Sequence, residues 1–127
     1  MRRPESLLEA ADRMNDTIAA GRVVHDALSY HMSDFRHALK GKDADWVRQA
    51  IEKEPVKVDD VVDVWLGGFA EYLALRDGLP VPAWVEGPSR FLQKEVHWCS
   101  KRVFMAGLVN TPPPWLRRKM ICEEPEL

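Results

Sequence analysis

Apolar residues at Leu7, Leu8, Ala11, Met14 and Ile18 recur every three or four positions, which predicts an amphipathic helix with one buried face. Pro4 suits its first turn. The stripe resumes at Val24, Ala27, Leu28, His31, Phe35, Ala38 and Leu39, so residues 22–40 form a second helix or, if Gly21 is tolerated, an extension of the first; Gly41 ends it. Asp43 is a suitable N-cap for a short helix through Trp46, Val47, Ala50 and Ile51, stopped by Pro55. Asp59 or Asp60 opens the next helix. Its Val61, Val62, Trp65, Leu66, Phe69, Tyr72, Leu73 and Leu75 are apolar around most of the circumference, which marks the central, most buried helix; Gly78 closes it. Gly67 and Gly68 inside it each cost up to about 1 kcal/mol of helical propensity relative to alanine, so close approach of a neighbouring helix is expected to compensate.

A proline-stiffened crossing follows, LALRDGLPVPAWVEGPSRFL, in which Pro80, Pro82 and Pro88 restrict the backbone and hold Trp84 between two helices. Beyond it, Ser89 can cap a helix through Phe91, Leu92, Val96 and Trp98, and Ser100 another through Val103, Phe104 and Leu108, ended by Asn110. Thr111 and the three prolines after it read as a cap and first turn leading into a short basic helix, Trp115 to Ile121. Val56-Lys57-Val58 alternates for only three residues, no hairpin dipeptide is flanked by alternation, and there is no internal repeat. The pattern therefore predicts an all-α bundle of about five to seven helices, one domain over residues 1–127, with the proline-rich crossing after the central helix.

The 127 residues are 46% apolar and 30% charged, enough for one core. A net charge of −2 argues against the uniformly basic balance of a nucleic-acid coat, but the charge is lopsided: residues 43–78 hold nine acidic and four basic side chains, whereas residues 89–120 hold seven basic and one acidic. Pairing between these two segments, and with the acidic tail Glu123, Glu124 and Glu126, is one reading; an external partner is the other. Charges throughout residues 1–20 exclude an apolar secretory core, and the longest uncharged run, Val103 to Leu116, contains three prolines and is too short to span a bilayer. A cytoplasmic protein is expected, with Cys99 and Cys122 as free thiols.

Candidate chemistry is sparse. His25, His31 and His37 step by six residues, about 240° around a helix, so three histidines cannot converge on one metal; His31, Asp34 and His37 lie within about a third of the circumference and could supply ligands only with help from another helix. His97, Cys99 and Cys122 lack zinc-ribbon spacing. No nucleophile elbow, Walker sequence or dinucleotide fingerprint is present. Asp59, Asp60 and Asp63 suit the positive end of a helix dipole without any acid–base role. No catalytic residue, metal or cofactor is assigned on these grounds.

The best functional set is basic and aromatic: Arg90, Lys94, Trp98, Lys101, Arg102, Trp115, Arg117, Arg118 and Lys119, with Trp84 as a preorganised anchor. Exposed, these groups would bind a protein partner or grip phosphates and stack on bases; otherwise the tryptophans are packing residues and their neighbours merely solvated. Residues 101–121 make a poor helix-turn-helix, because the turn holds three prolines and the second helix is barely two turns long.

DFRHAL, IEKEP, EYLALRDGLPVPAW, PSRFL and TPPPWLRR, spread over residues 34–118, about two thirds of the chain, resemble a family of small helical bacterial proteins common in actinobacteria. Members of that family stand alone or follow a helix-turn-helix domain, occur beside toxin–antitoxin-like genes and have no assigned chemistry. This chain departs from their pattern at its end, where an apolar segment gives way to KMICEEPEL. The resemblance implies an antitoxin-like or regulatory interaction module. The expectation is thus a non-enzymatic protein that docks a toxin or regulator, or forms a homodimer, through Trp84, Arg90, Trp98, Arg102, Trp115, Arg117, Arg118 and Lys119. A nucleic-acid-associated regulator using the same stretch is the alternative, and a small enzyme or ligand binder near His31 and Asp34 the third reading; no membrane role is expected.

Overall fold

Ser6 opens the first helix with a capping box: its hydroxyl accepts from the Glu9 N–H at 3.2 Å, while the Glu9 carboxylate reaches back to the Ser6 backbone. Pro4 lies outside that helix, α1 (Leu7–Ala19), rather than in its first turn. In the computed structural model, which describes residues 4–97 and 111–122, Gly21 takes φ +100° and separates α1 from α2 (Val24–Leu39), so the two are a helical hairpin and not one continuous rod. Asp43 caps α3 (Ala44–Ile51) through the Trp46 N–H at 2.9 Å. Asp59 caps α4 (Asp60–Arg76) through the N–H groups of Val61 and Val62, at 3.0 and 3.3 Å. After α4 come two 3-10 turns, Ala83–Glu86 and Pro88–Arg90, then strand β1 (Val96–His97), helix α5 (Pro113–Leu116) and strand β2 (Met120–Ile121).

The fold is all-α, with five α-helices among the described residues and one core running from Leu7 to Cys122. Helix α4 is its axis: twelve of its residues are buried, including Gly67, Gly68 and the polar Asp63 and Glu71. Phe69 meets Phe35 of α2 edge-on at 6.0 Å and stacks on Trp65 at 5.1 Å, tying the hairpin to the axis. No helix among the described residues is long and apolar enough to cross a membrane.

Two expected helices are corrected. The segment from Ser89 makes only a 3-10 turn, because Phe91 swings to φ −129°, ψ 141° and the chain runs on extended to β1. The basic helix expected over 115–121 ends at Leu116. Lys119 there adopts φ +64° and redirects the chain so that β2 pairs parallel with β1, Val96 opposite Met120 and His97 opposite Ile121. Thr111 is not the cap of α5: its hydroxyl donates to the Cys122 carbonyl at 3.1 Å and accepts from the Cys122 N–H at 3.2 Å, closing the C-terminal loop. The helix expected from Ser100 lies outside the described residues.

Candidate functional site

Prolines 112–114 set the first turn of α5 and aim Trp115 at the middle of α4. The indole is 0% exposed. It sits beside Trp65 and Tyr72, with ring centroids at 5.7 and 5.3 Å, and its Nε1–H donates to the Trp65 carbonyl at 3.1 Å. Gly68 makes the fit possible, since a Cβ there would stand 2.5 Å from the indole Cδ1 and Nε1. Gly67 does the same for two arginines: its Cβ would meet Arg90 Cβ at 3.1 Å and Arg118 Nε at 3.3 Å. The glycine pair thus admits an indole and two guanidinium stems to the face of the central helix.

Glu71 of α4 is the counter-charge. Arg118, 0% exposed, donates from Nη1 to Glu71 Oε1 at 2.8 Å and to the Pro114 carbonyl at 2.7 Å, and from Nη2 to the Val85 carbonyl at 2.8 Å. Arg117 donates from Nε to both Glu71 oxygens at 3.0 Å and bridges to Glu86. Burial by itself would raise the Glu71 carboxyl, but its bonds to Arg117 and Arg118 outweigh that and hold it below its ordinary value. Arg118 is pushed down by burial against the pull of Glu71, and Arg117 is raised by its bonds to Glu71.

Arg90 is 2% exposed, and binds the carbonyls of Asp63 and Pro55 at 3.1 and 3.0 Å and the Glu54 carboxylate at 3.2 Å. Its guanidinium also lies 4.8 Å from the Trp84 ring centroid. Trp84 itself is half-buried, with Nε1–H donating to the Ile51 carbonyl at the end of α3, at 3.0 Å.

The expected docking set is therefore split. Trp115, Arg90 and Arg118 are interior groups, closed to a partner surface and to phosphates or bases, because the glycine pair lets them reach α4 and Glu71, Glu54 and main-chain carbonyls satisfy them. Arg117 is partly exposed but committed to Glu71 and Glu86, and Lys119 is exposed with Nζ donating to the Gln93 carbonyl at 3.2 Å. Trp98, Lys101 and Arg102 lie outside the described residues. Trp84 alone of the described aromatic members lines an open groove, about 530 Å³ in volume, whose walls are Ile51 and Pro80–Ala83 and whose rim carries Arg48, Glu52 and Glu54.

A second groove, about 820 Å³, lies along the α1–α2 hairpin beside Asp34, with Thr17, Tyr30 and Ser33 among its walls. His31 is buried next to it, Nε2 at 2.7 Å from the Thr17 hydroxyl and Nδ1 without a partner. Burial, and secondarily Arg13, lowers its pKa against the opposing fields of Asp34 and Glu5. Since His37 is exposed while His31 turns inward to Thr17, the set His31, Asp34 and His37 does not converge. Among the described residues no group of three or more His, Cys, Asp or Glu side chains is placed to hold a metal ion.

Sequence reasoning missed Glu71, although a signal was there: it is the sole charged residue between Val64 and Leu75, in a run that is otherwise core. No family model, curated protein or solved structure matches the chain.

Proposed function

We propose that this chain is a non-enzymatic protein-docking module, antitoxin-like or regulatory in kind, which seats its partner in the groove between α3 and the proline crossing. The observation that carries the reading is the state of Trp84. Its indole is already immobilised by the Ile51 carbonyl and by the Arg90 guanidinium, so it loses little further entropy when a partner packs on it. Prolines on the same wall keep the backbone stiff, Val81 is 39% exposed, and Glu52 and Glu54 stand at the rim. This is an apolar slot with a charged edge, suited to an apolar segment of a protein.

The test uses the full chain as bait against an extract of its source cells, with Val81→Asp as the control. Val81 is outside the core, so the variant keeps the wild-type melting temperature. A protein retained by wild type and lost by Val81→Asp is the expected result. Capture indifferent to Val81→Asp, or capture of nucleic acid alone, overturns the reading.

A further inference from the structure

We propose that the exposed face of α2 is a self-docking surface, on which a second copy of this chain packs antiparallel about a twofold axis beside Ser33. The proposal is independent of the α3 groove. Asp26, Tyr30, Ser33, Arg36 and Lys40 follow one another every three or four residues and so form one stripe along the helix. Ser33 belongs both to the larger groove, whose walls include Asp26 and Tyr30, and to a smaller depression of about 120 Å³ lined by Arg36, His37 and Lys40. The stripe is thus one continuous surface.

Three features make this face complementary to itself. Tyr30 is 65% exposed, its ring meeting that of His31 in a T-shaped contact with centroids 5.1 Å apart, which leaves a large aromatic surface facing outward. Asp26 and Lys40 have no ion-pair partner among the described residues, in contrast to Arg48, Arg76, Arg90, Arg117 and Arg118, all of which are paired. They stand about 21 Å apart along the helix axis, well beyond the screening length, so they cannot neutralise each other within one copy. A twofold beside Ser33 brings Asp26 against Lys40 of the second copy, Tyr30 against its Arg36 and Ser29 against its His37. The small serines at the crossing let the two helices approach closely, and antiparallel packing opposes their dipoles.

A single helix pair is at the small end of protein interfaces, so the dimer is a reversible one that weakens with salt. Sedimentation equilibrium of the full chain, carried to near-millimolar concentration at low and high salt, tests it. Wild type shows a monomer–dimer equilibrium. Asp26→Lys and Lys40→Glu each weaken it by about tenfold or more. The double swap restores wild-type association, because opposite charges again meet across the axis. A monomer at every concentration, dissociation unchanged in both single variants, or a double swap as weak as the singles would each overturn the proposal. Should Asp26→Lys perturb α2, Ser33→Cys in a Cys99→Ser background gives a second measurement: oxidation yields a covalent dimer that Cys99→Ser alone does not form, and its failure to appear also refutes the twofold.

Discussion

Replacing Gly68 by alanine is the sharpest test of how the C-terminal segment is held. In an exposed helix the change would stabilise by up to about 1 kcal/mol through propensity alone. Here the new Cβ would lie 2.5 Å from Cδ1 and Nε1 of Trp115 and 3.0 Å from Cγ. Relief to an ordinary contact requires a displacement on the order of 1 Å, and the indole is rigid and fully enclosed. Overpacking of this kind costs about 1–3 kcal/mol, and the bond from Trp115 to the Trp65 carbonyl, worth about 0.5–1.5 kcal/mol, is strained or lost as well. With the propensity gain set against these costs, the net destabilisation is about 1–3 kcal/mol.

Gly67→Ala is the internal control, because its Cβ meets Arg90 and Arg118 at 3.1–3.4 Å, contacts relieved by a shift of a few tenths of an ångström in the Pro88–Arg90 turn, which carries the Arg90 Cβ, and in the Arg118 side chain. Its effect is expected within about 1 kcal/mol of neutral. Denaturant unfolding followed by far-ultraviolet circular dichroism reads both variants, and for a chain of this length the Gly68 change corresponds to a loss of roughly 5–10 °C in melting temperature. A Gly68→Ala protein as stable as wild type, or two variants of equal stability, would refute the close approach of Trp115.

Glu71→Gln removes the carboxylate that serves Arg118 and leaves a buried cation, so a loss of about 3–5 kcal/mol is expected in equilibrium unfolding, whereas Glu71→Leu combined with Arg118→Met costs far less. Stability falls with acid in two steps: the lowered His31 lets the unfolded chain take up protons first as pH drops below 6.5, and the lowered Glu71 does so below 4.5, so both contributions are complete above those values and lost beneath them. Denaturation midpoints measured against pH should lose the upper step in His31→Gln, and an unchanged profile would exclude His31 as its source. Asp59→Ala should cost about 1 kcal/mol by freeing the Val61 and Val62 N–H groups, checked by the same unfolding curves.

The helices were legible because their signals are local. The caps at Asp43 and Asp59, the stops at Gly41 and Gly78 and the near-total apolarity of α4 each act within one or two turns, and each stands where the periodicity places it. The segment after Pro88 was misread for the opposite reason. Phe91, Leu92 and Val96 have helical spacing, but Leu92 and Val96 donate instead to the carbonyls of Arg118 and Lys119, partners more than twenty residues away that no local pattern announces. Nor could periodicity tell whether Trp115 and Arg118 face inward or outward, since the answer depends on Gly67 and Gly68 lying opposite them on another helix.

The charge asymmetry along the chain has its explanation in the same place. Within residues 111–122 the chain forms a four-residue helix and a two-residue strand, and neither would persist in isolation. This segment holds its position because Glu71 of the acidic stretch and Glu86 of the crossing receive Arg117 and Arg118, while Glu54 of the acidic stretch receives Arg90 at the end of the crossing. A purely apolar segment could slide along α4 at modest cost, but a buried guanidinium that must meet one carboxylate and two carbonyls fits in a single register. The opposed charge blocks therefore specify how the chain closes on itself, and the charges left for an outside partner are those these pairs do not consume, such as Asp26 and Lys40 on the open face of α2.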